Sequence, residues 1–195
     1  MRARQARKTE TRRRIVARAM RLCGARGFAQ VRTADVARAA RLSHGAIFVH
    51  FPTREALLLA VAEQIGQEIT ERLHELVEGG ASLREVLEAH LACIREREDE
   101  YRRLIVDRPA LPDAFRHTWT GLQSAVSFHI AQAAEREMAV GRIRRMPVHL
   151  LFNTWLGLLH HYLAQQDLFA PGRSVLAEHG RELLDHFLHL LQTRD

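Results

Sequence analysis

The 195 residues predict an all-α protein in which a three-helix helix-turn-helix unit precedes a larger helical body, with about nine helices in total. Apolar residues recur at helical spacing along most of the chain, and no stretch alternates polar and apolar residues as a half-buried strand does. N-capping residues and Gly or Pro breaks divide the pattern into segments of ordinary helix length. Positive charge is concentrated at one end, which indicates two parts with different tasks.

The charge asymmetry separates the first 54 residues from the rest. They contain 14 Arg and Lys against Glu10 and Asp35, a net charge of +12, whereas the remaining 141 residues contain 15 Arg against 21 acidic residues, a net charge of −6. Such a division predicts a head that binds a polyanion. No apolar run approaches the roughly 18 residues of a membrane span, and the N-terminus is polar where a signal peptide turns apolar, so we expect a cytoplasmic protein.

Three short helices are predicted within the basic head. The first runs from about Thr9 and ends at Gly27, which favours a left-handed helix end. Thr33 is the predicted N-cap of the second, which continues to Ala40, and Ser43 is the predicted N-cap of the third. Two short helices joined by a tight turn, after a basic helix, are typical of a helix-turn-helix whose last helix enters the major groove.

The run TADVARAARLSHGAIFVHFPTREALLLAV resembles the DNA-binding domain of the TetR (tetracycline repressor) family, over roughly residues 9–63. The agreement is carried by Ser43, Gly45, Ile47, Phe48, His50, Phe51, Pro52, Arg54, Glu55, Ala56 and Leu57. The resemblance implies a helix-turn-helix DNA-binding domain over residues 1–54. It also implies a helical effector-binding and dimerisation domain over residues 55–195.

The same resemblance implies which residues contact DNA. Those expected against the bases are His44, Gly45, Ala46, Phe48 and Val49. Those expected against phosphates are Thr33, His50 and Arg54, with Arg32, Arg41 and Ser43 completing the DNA-binding set. Ile47 and Phe51 are expected to be core residues in either case, and the alternative interpretation is that the arginines are only a solvated surface.

Two positions depart from the family pattern. Arg41 stands where the family usually has Gly in the turn, and a positive φ there costs about 1 kcal/mol if the turn is unchanged. Phe48 replaces the usual Tyr and lacks the hydroxyl that donates to a phosphate.

The body is predicted to be helical throughout. A fourth helix runs from about Thr53 into the low 70s and ends at Gly79 and Gly80, and Ser82 with Glu85 forms a capping box for the next helix. Proline residues then interrupt the chain between 106 and 113, before a long helix from Asp113 that ends at Gly141. Two more helices follow, one from Pro147 and one near 174–192.

The last two helices carry more apolar residues than one buried face requires. The resemblance implies that they pair with a second copy as a four-helix bundle, in a homodimer that reads two operator half-sites. The alternative is that they complete a monomeric core.

His90 and His129 lie on the apolar stripes of their helices. The resemblance implies an effector pocket among the central helices, and these two histidines are candidates to line it together with Tyr101, Trp119 and Trp155. The alternative is that they are hydrogen-bonded core histidines and packing aromatics.

No catalytic or dinucleotide motif is present, and we expect neither an enzyme nor a cofactor. His186 and His189 have a chelating spacing but lack a carboxylate or Cys partner at a known metal-site spacing, so no metal site is predicted. The leading hypothesis is a repressor released from operator DNA by a small-molecule effector. Two others are a constitutive DNA-binding regulator or activator without an effector, and an enzyme or carrier that retains only the fold.

Overall fold

The computed structural model describes residues 2–193, among which there are helices and connections but no strands. In chain order the helices are α1 (Arg2–Arg26), α2 (Thr33–Ala40), α3 (His44–His50), α4 (Arg54–Glu78), α5 (Leu83–Glu96), α6 (Glu98–Asp107), α7 (Asp113–Ala139), α8 (Val148–Ala164), α9 (Gln166–Phe169) and α10 (Val175–Leu190). The all-α prediction is confirmed. Residues 2–193 contain ten α-helices against about nine expected, and the shortest is the single turn α9, which lies between the last two predicted helices.

The helices form two compact units. The first contains the residues up to Ile65 together with Asp99–Thr120, and the second contains Gly66–Glu98 and the residues from Gly121 onward. The predicted domain boundary at residue 54 stays a prediction. Within residues 2–193 no single helix is long and apolar enough to span a membrane, although α3 and α4, bent by 63°, pass the length and composition criterion as a pair.

Two helix starts in the first unit differ from the prediction. Helix α1 begins at Arg2 rather than near Thr9. The added residues 2–8 include good helix formers and neither Gly nor Pro, so nothing in them prevents the helix from starting at Arg2. Arg32, not Thr33, is the N-cap residue of α2, and it caps the helix without a side-chain hydrogen bond.

Gly27 ends α1 as predicted, but its conformation is not the left-handed helical one. Its φ is 87° and its ψ is 153°, an extended backbone with positive φ that a residue with a side chain rarely adopts. A Cβ at this position would lie 2.6 Å from Oδ2 of Asp107. Gly27 is therefore required both by its conformation and by the close approach of α6.

The capping predictions at Ser43 and Ser82 are confirmed. The Ser43 hydroxyl accepts a hydrogen bond from the Ala46 N–H at 3.2 Å. Ser82 and Glu85 form the full capping box, in which each side chain accepts from the other residue's backbone N–H. These caps satisfy N–H groups that have no partner inside the helix, so they set where α3 and α5 begin.

A polar pair lies in the core of the second unit. His90 of α5 and Trp155 of α8 are both fully buried. The Trp155 Nε1–H donates to His90 Nδ1 at 3.1 Å, and the indole packs against Phe187 of α10 with ring centroids 5.1 Å apart. This hydrogen bond fixes the orientation of both rings. The rings belong to α5 and α8, and both helices contact α10.

A buried carboxylate fixes the start of α10. Glu98 accepts hydrogen bonds from the Ser174 hydroxyl at 2.5 Å, the Val175 N–H at 2.6 Å and the Leu176 N–H at 3.3 Å. An acidic group at a helix N-terminus is also stabilised by the helix dipole. Glu98 thus joins the α5–α6 junction to the last helix of the second unit.

The buried His90 predicts an acid-sensitive fold. Burial, followed by the proximity of His160, lowers its pKa from 6.5 to about 3. The unfolded chain therefore takes up a proton below pH 6.5 that the folded chain does not, so stability is full above that pH and is lost as the pH falls. We expect this residue alone to lower the free energy of unfolding by about 2 kcal/mol between pH 7.5 and pH 5.

The control is His90→Gln, which does not titrate. Denaturant unfolding of both chains at the two pH values isolates the contribution, because the other groups titrate alike in each. Equal pH dependence in the two chains would contradict a neutral, buried His90.

Candidate nucleic-acid interface

Helix α3 buries one face and presents the other to solvent. Ile47 is fully buried and Phe51 is 1% exposed, whereas Phe48 is 43% exposed and Val49 is 72% exposed. A Cβ added to Gly45 would have no atom within 4 Å. The exposed face therefore combines two apolar side chains with an open backbone, an arrangement that a DNA groove can approach closely.

His44 and Thr33 contact each other. The His44 Nε2 and the Thr33 Oγ1 lie 2.9 Å apart, so the first residues of α2 and α3 share a hydrogen bond. The His44 ring also packs edge-on against Phe48 with centroids 5.1 Å apart. Thr33 was predicted to cap its own helix, and its hydroxyl instead orients the imidazole at the start of α3.

Arg41 takes the conformation of the Gly that it replaces. Its φ is 55° and its ψ is 47°, in the left-handed region, and its N–H donates to the Arg38 carbonyl at 3.1 Å. It is the only residue other than Gly with positive φ among those described. The turn is therefore unchanged, at a cost of about 1 kcal/mol. The Arg41 residue is exposed beside the start of α3.

Arg54 binds the backbone that connects α1 to α2. Its Nε donates to the Val31 carbonyl at 2.7 Å, and its Nη2 donates to the carbonyls of Phe28 at 2.6 Å and Ala29 at 2.9 Å. Because the guanidinium is a rigid, planar set of donors, it holds three carbonyls in one geometry. The expected phosphate contact of Arg54 stays a prediction, and the structure adds a scaffolding role that the sequence pattern does not indicate.

His50, the last residue of α3, faces the basic first helix. Burial, followed by the positive charges of Lys8 and Arg12, lowers its pKa. Its Nδ1 is buried and has no hydrogen-bond partner among residues 2–193. Arg12 lies over the Phe51 ring at 4.7 Å, a cation–π contact that holds α1 against the end of α3.

Comparisons with known proteins agree with this geometry. Residues 15–61 match the family model described as bacterial regulatory proteins, tetR family. The chain is 31% identical over 156 residues to the HTH-type transcriptional regulator CymR of Pseudomonas putida. That match covers 77% of this chain and 66% of CymR, so the chain spans about two thirds of the relative's length.

The chain belongs to the TetR family.

Solved structures support the same fold over at least 90% of the chain. A TetR-family regulator from Rhodococcus sp. has a TM-score of 0.79 at 23% identity, covering 94% of this chain and all of that one. The transcriptional regulator FadR of Bacillus subtilis, solved in complex with stearoyl-CoA, has a TM-score of 0.75 at 16% identity, covering 90% of this chain and 96% of FadR. The family model and the match to CymR, rather than these structures, identify this TetR-family chain as a transcriptional regulator with a helix-turn-helix DNA-binding domain.

The five residues predicted to line an effector pocket in this TetR-family chain occur in three aromatic contacts. His90 and Trp155 form the buried pair of the second unit. Tyr101 and Trp119 pack in the first unit, with ring centroids 5.6 Å apart. The ring centroids of His129 and His74 lie 5.4 Å apart in the second unit. The pKa of His129 is lowered mainly by burial and to a smaller extent by the nearby His74. Their role as pocket residues stays a prediction.

Two side chains that the sequence interpretation missed support the TetR-family head. Asp107, at the end of α6, accepts a hydrogen bond from the Phe28 N–H at 2.6 Å. The Phe28 ring packs edge-on against Phe115 at the start of α7, with centroids 5.5 Å apart. Neither residue belongs to a local motif, so only the three-dimensional contact identifies it.

Among residues 2–193 no group of three or more His, Cys, Asp or Glu side chains is placed to hold a metal.

The Arg54 contacts predict a stability defect when they are removed. In Arg54→Ala three carbonyls of the α1–α2 connection lose a charged donor, and we expect the free energy of unfolding to fall by about 2–3 kcal/mol. Arg54→Lys restores only part of the loss, because one ammonium cannot reproduce the donors at Nε and Nη2. Urea unfolding followed by circular dichroism measures the effect.

Arg32→Ala is the matched control. Arg32 is exposed, and its side chain makes no capping hydrogen bond. We expect its removal to leave stability within about 0.5 kcal/mol of the parent. If Arg54→Ala unfolded at the same urea concentration as Arg32→Ala, the three contacts would contribute nothing to the fold.

Proposed function

We propose that this protein is a homodimeric repressor that binds operator DNA and is released from it by a small-molecule effector. The observation that carries the DNA-binding part is the solvent-facing side of α3. Its exposed Phe48 and Val49 lie within a segment of net charge +12. Exposed apolar side chains in such a segment fit contacts with thymine methyl groups, while the surrounding cations neutralise phosphates.

Each predicted DNA contact has a physical role in this proposal. The open backbone at Gly45 and the small Ala46 bring α3 close to the base edges, where His44 donates or accepts a hydrogen bond and Val49 touches a methyl group. The residues proposed to fix the register through phosphates are Arg32, Thr33, Arg41, Ser43, His50 and Arg54. Phosphate contacts position the helix, and base contacts select the sequence.

The homodimer is proposed to form through α8 and α10. Each helix leaves an apolar side chain largely exposed, Leu150 at 50% and Leu190 at 43%. On α8 a Cβ added to Gly157 would have no atom within 4 Å, so a partner helix has room to approach. A twofold pair of α3 helices, spaced by about one DNA turn, matches a palindromic operator.

Effector release is proposed to act as a population shift. An effector bound in the body favours a conformation in which the two recognition helices no longer match the half-site spacing. Helices α4 and α7 have residues in both compact units and provide covalent routes for this change. A coupling of about 1–3 kcal/mol lowers operator affinity by roughly 5- to 150-fold.

The test of this function starts from a random duplex pool. We expect the chain to enrich a palindromic sequence and to bind it with two chains per duplex, as measured by light scattering of the complex. Stearoyl-CoA, the ligand named for the Bacillus subtilis structure, is a reasonable first compound for displacement of the labelled duplex. A monomeric chain without preference for any duplex would refute the proposal. If the labelled duplex stayed bound in the presence of every compound of a broad library, a constitutive regulator would be favoured.

A second prediction separates base readout from phosphate contact. We expect His44→Ala to change the enriched sequence at one or two positions of each half-site, because a base-edge contact contributes about 1–3 kcal/mol of discrimination. Arg32→Ala is expected to weaken binding to all duplexes alike and to reduce the salt dependence. Repeating the selection with each variant measures both effects, and an unchanged sequence for His44→Ala would remove it from the base-contacting set.

A further inference from the structure

The N-terminal turns of α1 form a groove with the end of α3. The groove has a volume of about 840 Å³. Its lining residues are Arg4, Gln5, Arg7, Lys8, Thr11, Val49 and His50. The α1 residues in this lining precede the segment 15–61 that matches the family, so the family pattern does not account for them.

The groove is cationic and bordered by exposed apolar surface. Three of its seven lining residues, Arg4, Arg7 and Lys8, are positively charged, and none of the seven is acidic. Val49, which is 72% exposed, belongs both to this lining and to the face of α3 proposed to meet the bases. The groove is therefore continuous with the proposed DNA surface.

His50, one of the lining residues, has a ring nitrogen without a hydrogen-bond partner among residues 2–193. This nitrogen is the buried Nδ1, and buried polar atoms in folded proteins are almost always satisfied. The neighbouring charges of Lys8 and Arg12 disfavour a second positive charge on the ring. An anion in the groove offsets those charges.

We propose that this groove binds one backbone phosphate of the duplex whose bases contact α3. The N-terminal turns of α1 and the end of α3 then hold the same duplex, which fixes how far α3 enters the major groove of the DNA. The inference rests on the proposed DNA-binding function and adds a phosphate site to it. Duplex DNA is favoured over a free anion because the groove continues onto the exposed face of α3.

The matched variants come from opposite faces of α1. At 100° per residue, Arg4, Lys8 and Thr11 share one face, whereas Arg13 lies about 180° from Arg4. Arg13 pairs with Glu10 at 2.8 Å and its side chain is 76% exposed. Arg4→Ala, Lys8→Ala and Arg13→Ala therefore each remove one positive charge from the same helix, but only the first two remove it from the groove.

The experiment measures affinity for a duplex that the parent chain selects from a random pool. With two chains bound per duplex, we expect Lys8→Ala and Arg4→Ala each to reduce the magnitude of the slope of log affinity against log salt by about two, one for each chain, while Lys8→Arg retains it and Arg13→Ala leaves it nearly unchanged. Thermal unfolding of each variant verifies that the fold is intact. Equal loss of slope in Arg13→Ala would overturn the site in favour of a diffuse electrostatic effect.

Neutral DNA linkages locate the phosphate itself. A series of duplexes carries one uncharged methylphosphonate each, and the parent chain is expected to lose about five- to tenfold in affinity at the linkage in the groove. Lys8→Ala and Arg4→Ala should lose much less at that same linkage, whereas Arg13→Ala should lose as much as the parent.

The outcomes separate this inference from the function on which it rests. A sequence-selective parent chain without any linkage that couples to Lys8 and Arg4 would refute the phosphate site alone. A parent chain that selects no duplex would already refute the DNA-binding function, before any variant is compared.

Discussion

The contact between Arg54 and the α1–α2 connection is the interaction on which the DNA-binding head depends. The chain between α1 and α2 turns through a short 3-10 segment, Phe28–Gln30, whose carbonyls cannot all bond within a helix. Arg54 supplies donors to three carbonyls of that connection, from the first residue of α4. A charged donor in a partly buried position forms stronger hydrogen bonds than water does there. One side chain therefore fixes the path of the connection from α1 to α2, and with it the position of α2 and α3.

The same connection is held from a second direction. Its Phe28 N–H donates to Asp107, and the Phe28 ring packs on Phe115. Gly27 leaves room for the carboxylate. The residues that complete the head are thus 79 and 87 positions beyond Phe28 in sequence. A head defined only by its first 54 residues would lack these contacts, which makes the grouping of Asp99–Thr120 with the head physically understandable.

What the sequence predicted well depends on local interactions. The starts of α3 and α5 follow from Ser43, Ser82 and Glu85, because an N-cap satisfies N–H groups within three residues of itself. The burial of Ile47 and the exposure of Val49 follow from helical periodicity. The family, the fold class and the charge division could be predicted for the same reason, because each is recognisable from runs of neighbouring residues.

What the sequence did not predict depends on distant partners. An Arg after a proline turn in a basic segment is a reasonable phosphate contact, and only the folded chain places its donors against carbonyls more than twenty residues earlier. Thr33 was expected to cap α2 because the residue type suits the position, yet its hydroxyl meets His44, eleven residues away. The added turns of α1 were missed for a different reason, because residues 2–8 are helix formers without an apolar stripe.

The composition of the proposed recognition surface constrains how sequence selectivity arises. Gly45, Ala46 and Val49 provide close approach and methyl contacts but few hydrogen bonds, whereas the +12 charge of the head attracts any duplex. A single head therefore combines strong attraction that ignores sequence with modest discrimination between sites. In the proposed dimer the discriminating free energies of two half-sites add, so the selectivity ratio of one head is squared. This gain holds only while both α3 helices match the operator spacing, and an effector that alters that spacing removes selectivity before it removes the attraction to DNA.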